Sequence, residues 1–282
     1  MAIELNNNIY TDGGNDTETT PVVLVHGFPV DHRMWDECAA ALRDQAVKPF
    51  AIWAPDMPGA GEGPIPSDED SGGKDADGAF PYGLDRMADA YVDLLHAAGY
   101  SKAIWVGLSM GGYLILDIQR LHPEAVAALA LCDTKADADS AGMRLKRVAI
   151  ATDCETTGTH EPVMGFAVPS EADSTVKQSD AYCRQFETWI NEQPADGIAW
   201  RERMAAGRPD LNDVLPNINV PVAVICGDKD PSSPPAVMKP VADAMTKTDV
   251  TMTVIDDCGH FSAYEHPDQV AAALLELVKR VG

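Results

Sequence analysis

Six short, almost unbroken apolar runs alternate with longer segments of helical periodicity, and this alternation limits what the chain can fold into more than any other feature. The runs occupy residues 22–27 (VVLVHG), 50–56 (FAIWAPD), 102–107 (KAIWVG), 126–133 (VAALALCD), 220–227 (VPVAVICG) and 250–256 (VTMTVID). Strands that are apolar on both sides of the pleat must be covered on both faces, as in a parallel sheet sandwiched between helices. The intervening segments supply those helices. In residues 84–99 (LDRMADAYVDLLHAAG), Met87, Tyr91, Leu94 and Leu95 fall on one stripe and Gly99 marks the stop. Residues 110–124 (MGGYLILDIQRLHPE) and 266–281 (HPDQVAAALLELVKRV) have the same pattern. The predicted fold class is therefore α/β, a mostly parallel sheet with helices on both faces.

Two segments interrupt the alternation. Residues 63–78 (GPIPSDEDSGGKDADG) are acidic and rich in Gly, Ser and Pro, which predicts an exposed, mobile loop. Residues 134–216 contain helical patterns but no clear strand, and a segment of that length between two sheet strands is too long for a simple connection. It reads as a helical cap inserted into a core formed by residues 1–133 and 217–282.

The chemistry concentrates at one bend. Residues 107–111 (GLSMG) fit G-x-S-x-G, in which a serine occupies a strained turn between strand and helix and its neighbours must lack bulk. Gly107 and Gly111 meet that need, and a helix starting at Met110 would point its unpaired N–H groups at the reacting centre. Ser109 is thus the candidate nucleophile. A serine hydroxyl needs a base within hydrogen-bond reach, and seven histidines are available. His260, after the last predicted strand in a glycine-preceded loop, would emerge beside Ser109. His96, His122 and His266 lie within or at the ends of helices and read as structural. His26 reads as a loop residue, and His160, in the inserted segment, is a candidate substrate contact. Asp228 and Asp230, just past a strand end in ICGDKDPSSPP, are candidates for the acid that orients the base. Asp230 lies further into the loop, before Pro231, and is preferred; Asp228 and Asp133 are the alternatives. Oxyanion donors are expected from the backbone N–H groups of Met110 and Phe28, the latter in the loop HGFP.

Charge narrows the partners. With 44 acidic and 21 basic residues the formal net charge is −23, a field that repels nucleic acid and anionic membranes and disfavours highly anionic substrates. The six cysteines form no CxxC pair, and no Cys or His cluster has zinc-ligand spacing. No metal or organic cofactor is expected. The polar, acidic first twenty residues lack the form of a signal peptide and no run would span a bilayer, so a cytoplasmic location is expected.

In order along the chain, HGFPVDHRMW, APDMPGAGEG, GLSMGG, GDKDPSSPP and GHFSAYEHP resemble the α/β-hydrolase fold superfamily over nearly its whole length. CDTKADADSAGMRLKR and RERMAAGRPDLNDVLPNINVPVAVICGDKD resemble its bacterial carboxylesterase and enol-lactonase-like branch. One departure is GAGEG, where the family carries G-x-G, followed by the long acidic loop. The resemblance implies a triad of Ser109, Asp230 and His260, with Phe28 and Met110 as the oxyanion hole. It implies hydrolysis of a small-molecule carboxylic ester, or a lactone or thioester, through an acyl-enzyme. Met164, Phe166, Phe186 and Trp189 in the inserted segment are expected to line the acyl pocket. Perhydrolysis or C–C bond hydrolysis on the same residues, amide cleavage, and a ligand receptor retaining the triad are the rival readings.

Overall fold

A computed structural model describes residues 3–15 and 19–281. The six apolar runs form strands β2 (Val22–Val25), β3 (Ala51–Asp56), β4 (Ala103–Leu108), β5 (Val126–Cys132), β6 (Val222–Gly227) and β7 (Val250–Ile255). A further strand precedes them, β1 (Asn6–Asp12), and the sheet runs β1-β3-β2-β4-β5-β6-β7. β1 pairs antiparallel to β3 at the edge, and every other pairing is parallel. The sequence reading missed β1 because its residues, NNNIYTD, are polar and none is fully buried. Its asparagines serve instead as donors, Asn6 and Asn8 Nδ2 reaching Asp56 Oδ2 at 3.1 and 3.0 Å.

All residues of β3, β4 and β6 are buried, so both faces of the central sheet are covered. The cover comes from α1 (Asp36–Gln45) packed on the C-terminal helix (Pro267–Val281), and from α2 (Gly83–Ala97) packed on α3 (Met110–Leu121). In α2 the predicted stripe is inward: Met87, Tyr91 and Leu95 are buried, with Leu94 at its margin. Because the strands from β2 onward are parallel, the loops leaving β2, β4, β5, β6 and β7 gather at one edge of the sheet. In open sheets of this kind that edge is where ligand sites are expected.

Between β5 and β6 the chain forms α4 (Ala141–Thr157), a 3₁₀ segment (Glu161–Ala167), α5 (Asp180–Glu192) and α6 (Ala195–Gly207). The boundaries are chemically marked. Ser140 and Ser179 accept the amides of Met143 and Tyr182 at the starts of α4 and α5. α4 ends at Gly158 in the left-handed conformation, φ 69°. α6 packs against α4 and is buried over residues 197–206, including Arg201, Glu202 and Arg203.

The acidic segment 63–78 forms no helix or strand, yet it is tied down rather than freely solvated. Arg144 of α4 pairs with both Asp75 and Asp77. Trp200 Nε1 donates to the buried Ser71 hydroxyl at 2.8 Å, and Arg203 Nη1 donates to the Gly78 carbonyl at 2.8 Å. The acidic composition that suggested a mobile loop instead matches basic side chains sixty and more residues away, a pairing that no local pattern shows.

Candidate active site

Ser109 stands between β4 and α3 with φ 55° and ψ −112°, a left-handed conformation that costs a non-glycine residue energy and must be held by its surroundings. Its amide donates to the Cys132 carbonyl at 2.9 Å, and its carbonyl accepts from Gly112 N at 2.9 Å and Thr134 Oγ1 at 2.7 Å. The flanking glycines are required by close approach. A Cβ on Gly107 would lie 2.3 Å from the Gly111 carbonyl oxygen, and one on Gly111 would lie 2.3 Å from the Val25 carbonyl oxygen. The bend can therefore form only where backbone packs directly on backbone.

Three predicted residues come together here. Ser109 Oγ lies 2.8 Å from His260 Nε2, and His260 Nδ1 lies 2.8 Å from Asp230 Oδ2. Asp230 is buried and its other oxygen accepts the Ser232 amide at 2.7 Å, which fixes the carboxylate's orientation. The two alternative acids do other work. Asp228 Oδ1 accepts the Cys258 amide at 3.1 Å, and Asp133 accepts the amides of Gly227 and Ser262 at 3.0 and 3.2 Å. Both are thus clamps on neighbouring loops. Burial, with Asp230 nearby, pushes the Asp133 carboxyl up to about 8. For His260, burial alone would favour the neutral ring, but the charge and hydrogen bond of Asp230 outweigh it and raise its pKa above the ordinary value.

The loop bearing His260 has a clamp that sequence reasoning missed. The buried Glu265 carboxylate accepts the Gly259 amide at 2.8 Å and the Phe261 amide at 3.2 Å, one on each side of His260, and also the Ser174 hydroxyl. Nothing in AYEHP distinguishes this glutamate from a solvent-facing helical one.

Phe28 and Met110 line the same cavity as Ser109 and His260, about 360 Å³ in volume. Met110 is the first residue of α3, where amides have no acceptor within the helix. The loop holding Phe28 is set from below by Arg201, which is fully buried and whose Nη1 donates to the carbonyls of Pro29 and Val30 at 3.2 and 3.0 Å. Its guanidinium also lies 5.5 Å from the Phe28 ring centroid. His26 accepts the Met57 amide through Nε2 at 2.8 Å while Nδ1 meets the Gly27 carbonyl at 3.0 Å. Burial holds it down to about 4, so it is a neutral strut for the loop. His160 is bonded to the Gln193 carbonyl at 2.8 Å and does not line the cavity.

Of the four residues expected to form the acyl pocket, Phe166 lines the cavity, its ring edge-on to both Phe28 and Phe261. Met164, Phe186 and Trp189 do not. Phe186 is fully buried, stacked on Tyr182 at 4.0 Å and against Trp189 and Tyr264, so it forms the packing layer behind the wall. Apolar helical periodicity identified residues that pack the insertion but could not separate wall from layer. The missed lining residues include Tyr113, Met143 and the charged side chains Lys135, Asp139, Arg147 and Lys177. For Lys135 there was a signal: it lies just past the end of β5, at the sheet edge where parallel strands present their sites.

Among the described residues, Asp31, His32 and Asp56 bring three potential metal-ligand atoms within 4.8 Å of one another. Their polar atoms already hold each other and their neighbours. Arg33 bonds both oxygens of Asp31, and Asp56 Oδ1 takes the amide and Nδ1 of His32 at 3.0 and 2.8 Å. The cluster secures the loop after β2.

The model of the Alpha/beta hydrolase family matches residues 22–273. Among solved structures, a thermophilic esterase from Thermogutta terrifontis is 29% identical with a TM-score of 0.82, over 99% of this chain and 94% of that one. The enol-lactonase from Burkholderia xenovorans LB400 superposes with a TM-score of 0.79 at 22% identity, over 98% and 97%. Epoxide hydrolase A from Mycobacterium tuberculosis is 24% identical over 91% of this chain and 89% of its own length. The dihydrolipoyllysine-residue acetyltransferase component of the acetoin cleaving system from Pseudomonas putida is 26% identical over 93% of this chain, which spans 64% of that protein.

Proposed function

The chain belongs to the alpha/beta hydrolase family, and from that premise we propose that it is a serine-dependent hydrolase of carboxylic esters, lactones and thioesters being close variants. The observation that carries this reading is the continuous hydrogen-bonded line from Ser109 through His260 to Asp230, 2.8 Å at each step. In this mechanism His260 Nε2 takes the Ser109 proton as Oγ attacks the ester carbonyl carbon. The negative charge passes to the carbonyl oxygen, where the N–H groups of Met110 and Phe28 stabilise it. Collapse breaks the bond to the alkoxy oxygen, which leaves with the proton from His260. Water, deprotonated by the same ring, then releases the acid and restores Ser109. Asp230 holds the imidazole in the tautomer that presents an unprotonated Nε2 and stabilises the imidazolium that follows. Residues 134–216 are, in this reading, the lid that closes the acyl pocket through Phe166.

The similarity to an epoxide hydrolase is a second reading at the level of the family. The residue at the elbow favours the first: epoxide hydrolases of this fold attack with an aspartate, and this chain has Ser109 there. The deciding experiment is hydrolysis of p-nitrophenyl esters, acetate through decanoate, by wild type and Ser109→Ala. Ester turnover lost by a factor of about 10³ or more in the variant is the expected result. Turnover that survives in Ser109→Ala overturns the assignment.

A further inference from the structure

The chain is strongly acidic overall, yet the cavity beside Ser109 is not. Its wall contains three basic side chains, Lys135, Arg147 and Lys177, and one acidic side chain, Asp139. Most of these charges are already matched. Asp139 is held between Arg147 Nε and Arg208 Nη2, at 2.5 and 2.9 Å. Arg147 reaches the buried Glu202 with its Nη1 at 2.7 Å, and Lys177 meets Asp173 at 3.0 Å. Lys135 is different. It is half-buried, and among the described residues its ammonium has neither a carboxylate within ion-pair distance nor a hydrogen-bond acceptor.

The position of Lys135 is fixed by the same backbone that holds the nucleophile. It follows Thr134, whose hydroxyl donates to the Ser109 carbonyl at 2.7 Å, and that residue follows Asp133, clamped to the amides of Gly227 and Ser262. A cation without a partner in a partly enclosed wall is under-compensated, and a ligand anion placed against it gains a charge-assisted hydrogen bond. One unmatched positive charge balances one negative charge, which suits a carboxylate better than a doubly charged phosphate. The cavity, at about 360 Å³, is at the small end for ligand sites.

We propose that the cavity takes an ester carrying a carboxylate at the far end of its chain, and that Lys135 binds that carboxylate while Ser109 faces the ester carbonyl. The proposal rests on the ester-hydrolase reading above and specifies its substrate class. The acidic composition repels anions from the molecule as a whole. The basic wall reverses that bias locally, since unlike charges a few ångströms apart outweigh distant ones screened by salt.

The test compares p-nitrophenyl hydrogen adipate, which carries the carboxylate, with neutral p-nitrophenyl hexanoate. Wild type is expected to have the higher kcat/KM on the adipate ester. Lys135→Met should lower kcat/KM on that ester about ten- to a hundredfold more than on the hexanoate, mainly through KM. Lys135→Arg should retain the preference, and Lys135→Glu should reverse it. A wild-type ratio at or below one overturns the proposal without any variant, as does a Lys135→Met enzyme that loses the two activities in equal measure. If wild type hydrolyses both esters with no preference, only the substrate class falls. If it hydrolyses neither, the ester-hydrolase reading falls with it.

Discussion

Glu265 accepts the amide of Gly259 at 2.8 Å, so a single buried carboxylate secures the loop that brings His260 to Ser109. Its second oxygen accepts the Phe261 amide at 3.2 Å, and the two bonds bracket His260 on either side. Glu265→Ala leaves those amides and the Ser174 hydroxyl without their acceptor. We expect kcat to fall by about 10², the cost of misplacing a reacting group by roughly an ångström, with KM little changed and the far-UV spectrum preserved. Partial recovery in Glu265→Gln would support a positioning role. An unaltered kcat in the alanine variant would refute it.

In the proposed mechanism the protonation of His260 sets the pH dependence. That mechanism needs the neutral ring, and against the effect of burial Asp230 raises the His260 pKa above its ordinary value. Wild-type kcat/KM should therefore rise with pH through a midpoint above about 6.5, the ordinary histidine value. In Asp230→Asn the raising influence is removed while burial still lowers the pKa, so the midpoint should move down. Activity should also fall, by about 10⁴ by analogy with other triads. A pH profile from 5 to 9 with the same midpoint in both proteins would contradict this account.

His26 is shifted in the opposite direction from His260, and its shift couples stability to pH. Burial lowers its pKa to about 4, so the unfolded chain binds a proton that the native state rejects between that value and about 6.5. The stabilising contribution is complete above pH 6.5 and is lost as pH falls toward 4, an effect of about 3 kcal/mol. His26→Gln keeps an acceptor for the Met57 amide but has no titrating group. Urea midpoints measured between pH 4.5 and 7 should slope less in the variant than in wild type. Parallel slopes would show that His26 does not supply the dependence.

Arg201 is the only link from α6 to the carbonyls of Pro29 and Val30 among the described hydrogen bonds. Arg201→Met fills similar space but leaves those acceptors unpaired beneath Phe28. Each buried, unsatisfied acceptor costs about 1–3 kcal/mol, so we expect a loss of stability of several kcal/mol by urea unfolding. We also expect a lower kcat from a displaced Phe28 N–H. A variant as stable and as active as wild type would show that the loop holds its shape without the guanidinium.

Much of this molecule is legible in its sequence because the relevant physics is local. Apolar runs of strand length can be buried only in a covered sheet, and all six recur in the structure within one or two residues of their predicted ends. The bend at Ser109 is equally legible, because its glycines are demanded by neighbours in the same few residues. β1 was not, since an edge strand paired on one side needs no apolar run. Tertiary structure alone decided the remainder. Asp133, Asp228 and Asp230 are chemically alike and all follow strand ends; only the approach of the β7 loop determines that Asp230 meets His260 while the other two bind amides. Likewise, Phe166 faces the cavity and Phe186 packs behind it because of how the inserted helices sit on the sheet edge. Which carboxylate meets a given ring, and which aromatic meets the ligand, depends on contacts between residues far apart in the chain, and these exist only once the whole sheet and its insertion have packed.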